Sequence, residues 1–165
     1  MNQIPEFWRA EVWHPLSVHF PVALLLLSLV FKIVALKNKK EVWHQGGSIL
    51  LFVGTVGAWI SIYTGNLADG AVSRTICDPT ILKDHENGAY VMAWLFSVAA
   101  VLDIIYWTGI LPLKKIWIKI AVLILLFIGS GFLVQVGHLG ASLVYQQGAG
   151  VYKPSPDCIE FIEHD

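Results

Sequence analysis

Charge is what this sequence has least of: Lys, Arg, Asp and Glu together make up 14% of 165 residues, where an average soluble domain carries about 25%. Hydrophobic residues reach 56%, more than a soluble domain this short can bury in one core. The excess must face lipid. A net charge of −1 supplies no basic field, which excludes nucleic acid as a partner. Cysteine is scarce too. With only Cys77 and Cys158 there is no zinc-type spacing, and without a Cys-x-x-Cys-His run covalent haem c attachment is excluded. The opening Met1 to Trp13 is mixed polar and aromatic, not the basic-then-apolar pattern of a cleaved signal, and predicts a chain kept whole. No nucleophilic triad, phosphate-cradling glycine loop or internal repeat is discernible.

What the chain does have is four apolar runs: Leu16–Leu36, Ile49–Tyr63 with a softer continuation to Ala68, Ala89–Leu111 and Ile116–Val136. Each approaches the ~20 residues that a ~30 Å hydrocarbon core requires. Membrane strands need only ~10 residues and alternate in polarity, whereas Ala23 to Leu27 is unbroken apolar sequence. The expectation is an all-α integral membrane protein, a four-transmembrane-helix up-down-up-down bundle forming one domain over 1–165. Its helices are expected at about 15–36, 46–68, 85–111 and 116–143, followed by a tail over 144–165.

Lys37, Lys39 and Lys40 lie in the first loop, and Lys114 and Lys115 in the third, with Lys119 just inside helix four. The second loop offers Arg74 and Lys83 against Asp69, Asp78, Asp84 and Glu86. The positive-inside rule then places loops one and three in the cytoplasm and both termini in the periplasm of a bacterial inner membrane. Cys77 and Cys158 fall on the same outer face, where an oxidising compartment favours a disulfide between them. Trp8, Trp13, Tyr63, Tyr90, Tyr145 and Tyr152 mark one interface and Trp43, Trp107 and Trp117 the other, as aromatic belts do.

Histidine carries the chemistry. His44 sits at the cytoplasmic start of helix two and His164 in the tail, but His14, His19, His85 and His138 belong to the outer ends of helices one, three and four. At ~1.5 Å per helical residue, His14, His85 and His138 stand ~33–39 Å above the cytoplasmic helix ends and His19 ~25 Å. Imidazole at this depth needs a partner, and an ionisable group inside a membrane is a functional hypothesis by default. Neutral imidazole is a common metal ligand and an axial ligand of haem iron. Taken singly, each of these histidines also suits a headgroup-facing helix cap. Their convergence from three helices favours a cofactor. His14 and His19 lie about 140° apart on a regular helix, so one ligating position and one supporting position are expected unless the helix kinks. Pro15 suits a first helical turn, and Pro21 sits inside the helix. The stripe Gly47, Gly54 and Ser61 reads as packing, while Gly129, Gly131, Gly137 and Gly140 clear bulk around His138.

The segment His14-Pro15-Leu16-Ser17-Val18-His19-Phe20-Pro21, an HPxxVHFP motif, resembles the opening signature of an uncharacterised bacterial family of small four-helix membrane proteins. Thr64 to Ala68, the His85 region, Gly137 to Tyr145 and Gly148 to Val151 continue the likeness in order, over roughly residues 10 to 152; Asn66 and Ala141 depart from it. The same domain resembles the membrane part of some c-type cytochromes, which implies redox work near the outer leaflet. The reading is a b-type haem subunit passing electrons between quinol and a periplasmic acceptor, more an electron-transfer component than a stand-alone enzyme. Axial ligands or support come from His14, His19, His85 and His138, and quinone and other redox subunits or a c-type cytochrome are the implied partners. Two alternatives stand: a cofactor-free accessory subunit of a larger respiratory complex, and a histidine site for copper or zinc.

Overall fold

The computed structural model describes residues 7–38, 40–110 and 114–151. They form four α-helices: α1 Ala10–Lys37, α2 Glu41–Val72, α3 Pro79–Thr108 and α4 Lys115–Gln147. All four are long and apolar enough to cross a membrane, and no strand occurs among the described residues. Short connections make successive helices antiparallel. In the contact pattern α1 touches α2 and α4, and α3 touches α2 and α4, so α1 and α3 face each other across a diagonal. Packing is closest within the hairpins α1–α2 and α3–α4.

The helices run past their apolar stretches, and at three ends, the start of α3 and the ends of α3 and α4, a cap sets the boundary. Asp78 accepts the Thr80 backbone N–H at 2.9 Å and Pro79 occupies the first turn, where its missing N–H costs nothing. Accordingly α3 begins at Pro79, ahead of the expected 85, and the connection from α2 spans only 73–78. Asp69, Lys83 and Asp84, expected in the second loop, are helical. Gly109 and Gly148 close α3 and α4 in the left-handed conformation, φ 65° and 66°, which glycine adopts without a Cβ clash. α1 starts at Ala10, so Pro15 as well as Pro21 lies inside it instead of opening it. Cys77 is exposed in the α2–α3 connection and no disulfide is present among the described residues; its expected partner Cys158 lies outside them, as do Tyr152, His164 and most of the tail.

Large apolar side chains such as Trp94, Phe127 and Val134 point outward, each more than 60% exposed, as lipid-facing positions do. Inside, Leu25, Leu51, Phe96 and Leu126 are fully buried. Close approach depends on glycine: a Cβ on Gly54 would lie 2.9 Å from Leu25, and one on Gly129 would lie 3.1 Å from Phe96. These two contacts correspond. Leu25 and Phe96 are 71 residues apart, as are Lys32 and Asp103, while Gly54 and Gly129 are 75 apart. The two hairpins are built to one plan, a repeat hidden in the sequence because most corresponding residues differ in type.

Candidate functional site

At the end of the bundle that carries the termini, the same plan places two histidines. His14 of α1 and His85 of α3 are again 71 residues apart, and their rings meet across the diagonal at 5.9 Å between centroids, perpendicular to each other. His14 Nδ1 donates to the Ser61 carbonyl of α2 at 2.8 Å. His85 Nδ1 donates to the Val136 carbonyl of α4 at 3.0 Å. A carbonyl can only accept, so each Nδ1 carries a proton, and each ring, when neutral, keeps an unprotonated Nε2.

The residue one turn beyond each acceptor is glycine. A Cβ on Gly65 would lie 3.1 Å from His14 Nδ1, and one on Gly140 would lie 3.2 Å from His85 Cε1. The missing side chains let each imidazole lie against the neighbouring helix, close enough to reach its carbonyl. Gly140, expected to clear room around His138, serves His85 instead. On the His14 side, Ser17 Oγ lies 2.9 Å from both the His14 carbonyl and Thr64 Oγ1, and Thr64 Oγ1 lies 2.9 Å from the Ser61 carbonyl. The two hydroxyl protons can fill two of these three contacts at a time, and the Ser17–Thr64 contact is the one that joins α1 to α2 beside the ring.

His19 and His138 do not join this pair. Both are exposed, and His19 Nδ1 turns back to its own helix, donating to the Pro15 carbonyl at 2.6 Å. The four-histidine layer thus resolves into two histidines that meet and two on the perimeter. Among the described residues no three His, Cys, Asp or Glu side chains converge as a metal-binding group. Gly47 and Gly54 do pack, against Lys32 and Leu25 respectively, whereas Ser61 both packs and offers its carbonyl to His14.

A second polar centre lies toward the opposite end. Lys32 Nζ donates to Asp103 Oδ1 at 2.6 Å and to Ser48 Oγ at 2.8 Å, with the ion pair almost fully buried. Trp107 Nε1 donates to the same Ser48 hydroxyl at 2.9 Å. His44 stacks on Tyr106 at 4.8 Å between centroids. The signal was present: Lys32 and Asp103 are the lone charges inside the first and third apolar runs. Hydropathy averages over such residues, and their distance in sequence hides that they meet.

No curated protein and no solved structure matches the chain. A family model does, over residues 11–153, a range that takes in all four helices but for Ala10, both histidines of the pair and the ion pair beneath them. The chain belongs to the family described as predicted membrane protein (DUF2231).

Proposed function

We propose that this protein is a membrane electron-transfer subunit in which His14 and His85 hold a b-type haem iron near the terminus-bearing end of the bundle. The observation that carries the reading is the paired presentation of the two rings: corresponding positions, both Nδ1 protons committed to backbone carbonyls, both Nε2 atoms left to bind. A backbone carbonyl on the second nitrogen fixes the tautomer and raises the basicity of a ligating imidazole. The donor set fits. Two imidazoles with ring centres 5.9 Å apart are close enough that both could reach one metal ion, at the ~2 Å of a metal–nitrogen bond. When bound, such a group supplies one-electron chemistry, and two histidine ligands favour electron transfer by leaving no open position on the metal.

The chain's own residues bind and orient. Ser61 and Val136 hold the ring planes, Gly65 and Gly140 set how deep the rings sit, and the Ser17–Thr64 contact keeps α1 in register with α2. His19 and His138 are not ligands in this reading. With the lysine-bearing loops in the cytoplasm, the pair lies toward the periplasmic side of a bacterial inner membrane. There a quinol donor and a c-type cytochrome or another redox subunit are the partners the site would serve.

The test is spectroscopic. Full-length protein purified in detergent should show a reducible Soret and α-band and a pyridine haemochrome stoichiometry near one. H14A and H85A should each lose the spectrum, while H19A and H138A keep it. A colourless, metal-free preparation from haem-replete cells would make the pair a packing device of a cofactor-free subunit. Zinc or copper retained in place of haem, and lost in H14A, would replace the haem assignment.

A further inference from the structure

We propose that the cavity between α1 and α4, at the end opposite the histidine pair, binds the phosphate of an anionic phospholipid through Lys32 and Lys119. The cavity measures about 150 Å³ and is lined by Lys32, His44, Asp103, Tyr106 and Lys119 together with apolar residues. With ~30 Å³ as the share of one water in the liquid, it has room for a phosphodiester group.

Its charge does not balance. Asp103 is the lone carboxylate lining it, and that carboxylate already pairs with Lys32. Lys119 has no carboxylate within 4.0 Å among the described residues; its ammonium stands 5.1 Å over the Tyr106 ring. Lys115 approaches the same ring at 5.3 Å. Lys32 spends two of its three N–H donors on Asp103 and Ser48, leaving one. His44 Nδ1 is buried with no hydrogen-bond partner. A surplus cation and an unmet imidazole nitrogen lining one pocket suit an anion.

The shared plan of the hairpins explains where the cavity opens. Tyr106 corresponds to Ala35, 71 residues earlier. Tyr106 stacks on His44 and fills the α2–α3 side, while the small Ala35 leaves the α1–α4 side open. That opening is rimmed by Leu36 and Ile116, each more than half exposed, so a headgroup inside would leave its acyl chains along apolar helix surface. The cavity lies within two helical turns, ~10 Å, of the helix ends, near the belt of Trp43, Trp107 and Trp117, at the depth of lipid phosphates. Basic pockets between membrane helices recognise anionic headgroups.

Native mass spectrometry of the full chain, equilibrated with dioleoylphosphatidylglycerol or dioleoylphosphatidylcholine, tests this. One phosphatidylglycerol should be retained per chain, at least tenfold in preference to phosphatidylcholine. K119Q should abolish the preference and K119R should restore it. A35F, which fills the cavity and leaves every charge in place, should also abolish it, whereas K40Q, at an exposed lysine of the same end, should not. Equal retention by wild type, K119Q and A35F would overturn the proposal, as would a K40Q loss matching that of K119Q. Displacement of the lipid by millimolar inorganic phosphate would assign the pocket to a free anion and overturn the lipid assignment.

Discussion

Lys32 and Asp103 meet across the diagonal of the bundle at 2.6 Å, from positions 71 residues apart that correspond in the two hairpins. His14 and His85 do the same at the other end. Both diagonal contacts join the halves of the molecule where direct packing between hairpins is sparse, so each is expected to bear on assembly as well as on chemistry.

Removing one partner of the ion pair leaves the other as an uncompensated charge in a low-dielectric interior, at a cost of about 3–5 kcal/mol. D103N and K32M are each expected to lower the unfolding midpoint in detergent sharply. The double variant K32M/D103L should recover most of the loss. So should the exchange K32D/D103K, because the two positions are equivalent in the plan. A D103N protein as stable as wild type would show that the pair is not desolvated.

The glycines against the imidazoles act on the site and not only on packing. G65A and G140A push a methyl to 3.1–3.2 Å from a ring and displace the Nδ1–H from its carbonyl. If the pair holds haem as proposed, each should weaken its retention at least tenfold and shift the redox midpoint of what remains. G131A and G137A, where nothing lies within 4 Å of an added Cβ, should leave the spectrum unchanged and gain up to about 1 kcal/mol of helix stability.

Overpacking tests the mid-bundle. G54A drives a Cβ to 2.9 Å from Leu25 and should cost about 1–3 kcal/mol. Trimming the opposing side chain in G54A/L25A should relieve the clash, leaving the double variant less destabilised than the sum of the single ones. Additive losses in thermal unfolding would mean that the helices shift apart instead of the side chain yielding.

At the start of α3, Asp78 accepts from the Thr80 hydroxyl at 2.6 Å and from the Thr80 backbone N–H at 2.9 Å, and both bonds hold its carboxyl below the usual carboxylate range. A carboxyl depressed by folding adds stability above its unfolded pKa and loses it as pH falls through the folded value. Wild type and D78A should therefore differ by a constant margin at neutral pH. The gap should close only in acid, below about pH 4. D78N, which keeps a capping acceptor, should be intermediate. A gap that widens in acid would exclude the cap as its source.

Much of the architecture was legible along the chain. Four apolar runs separated by lysine-bearing and acidic turns specify four antiparallel spans, because lipid admits a helix only when ~20 successive residues tolerate it. Helix ends were less legible. Asp78–Pro79 and Gly148 settle them through local hydrogen bonds and backbone conformation, and hydropathy does not register either.

The histidine layer was legible as a layer, since 1.5 Å per residue places His14, His85 and His138 at similar heights. It could not be resolved into a pair. Which way a side chain faces depends on helix rotation, and rotation is set by where a neighbouring helix lacks bulk: Gly65 draws His14 inward and Gly140 draws His85, while His19 and His138 turn outward. The repeat was hidden for a related reason. Most corresponding positions share a place and not a residue type, as Lys32 does with Asp103 and Ala35 with Tyr106. The sequence by itself determined that this chain lives in a membrane as four helices with imidazoles gathered at one end. Only the tertiary structure decided which two histidines meet, that a lysine and an aspartate neutralise each other between them and the opposite end, and on which side a pocket stays open. Membership in a span is a sum over neighbours in the chain, whereas partnership is a distance between residues 71 positions apart.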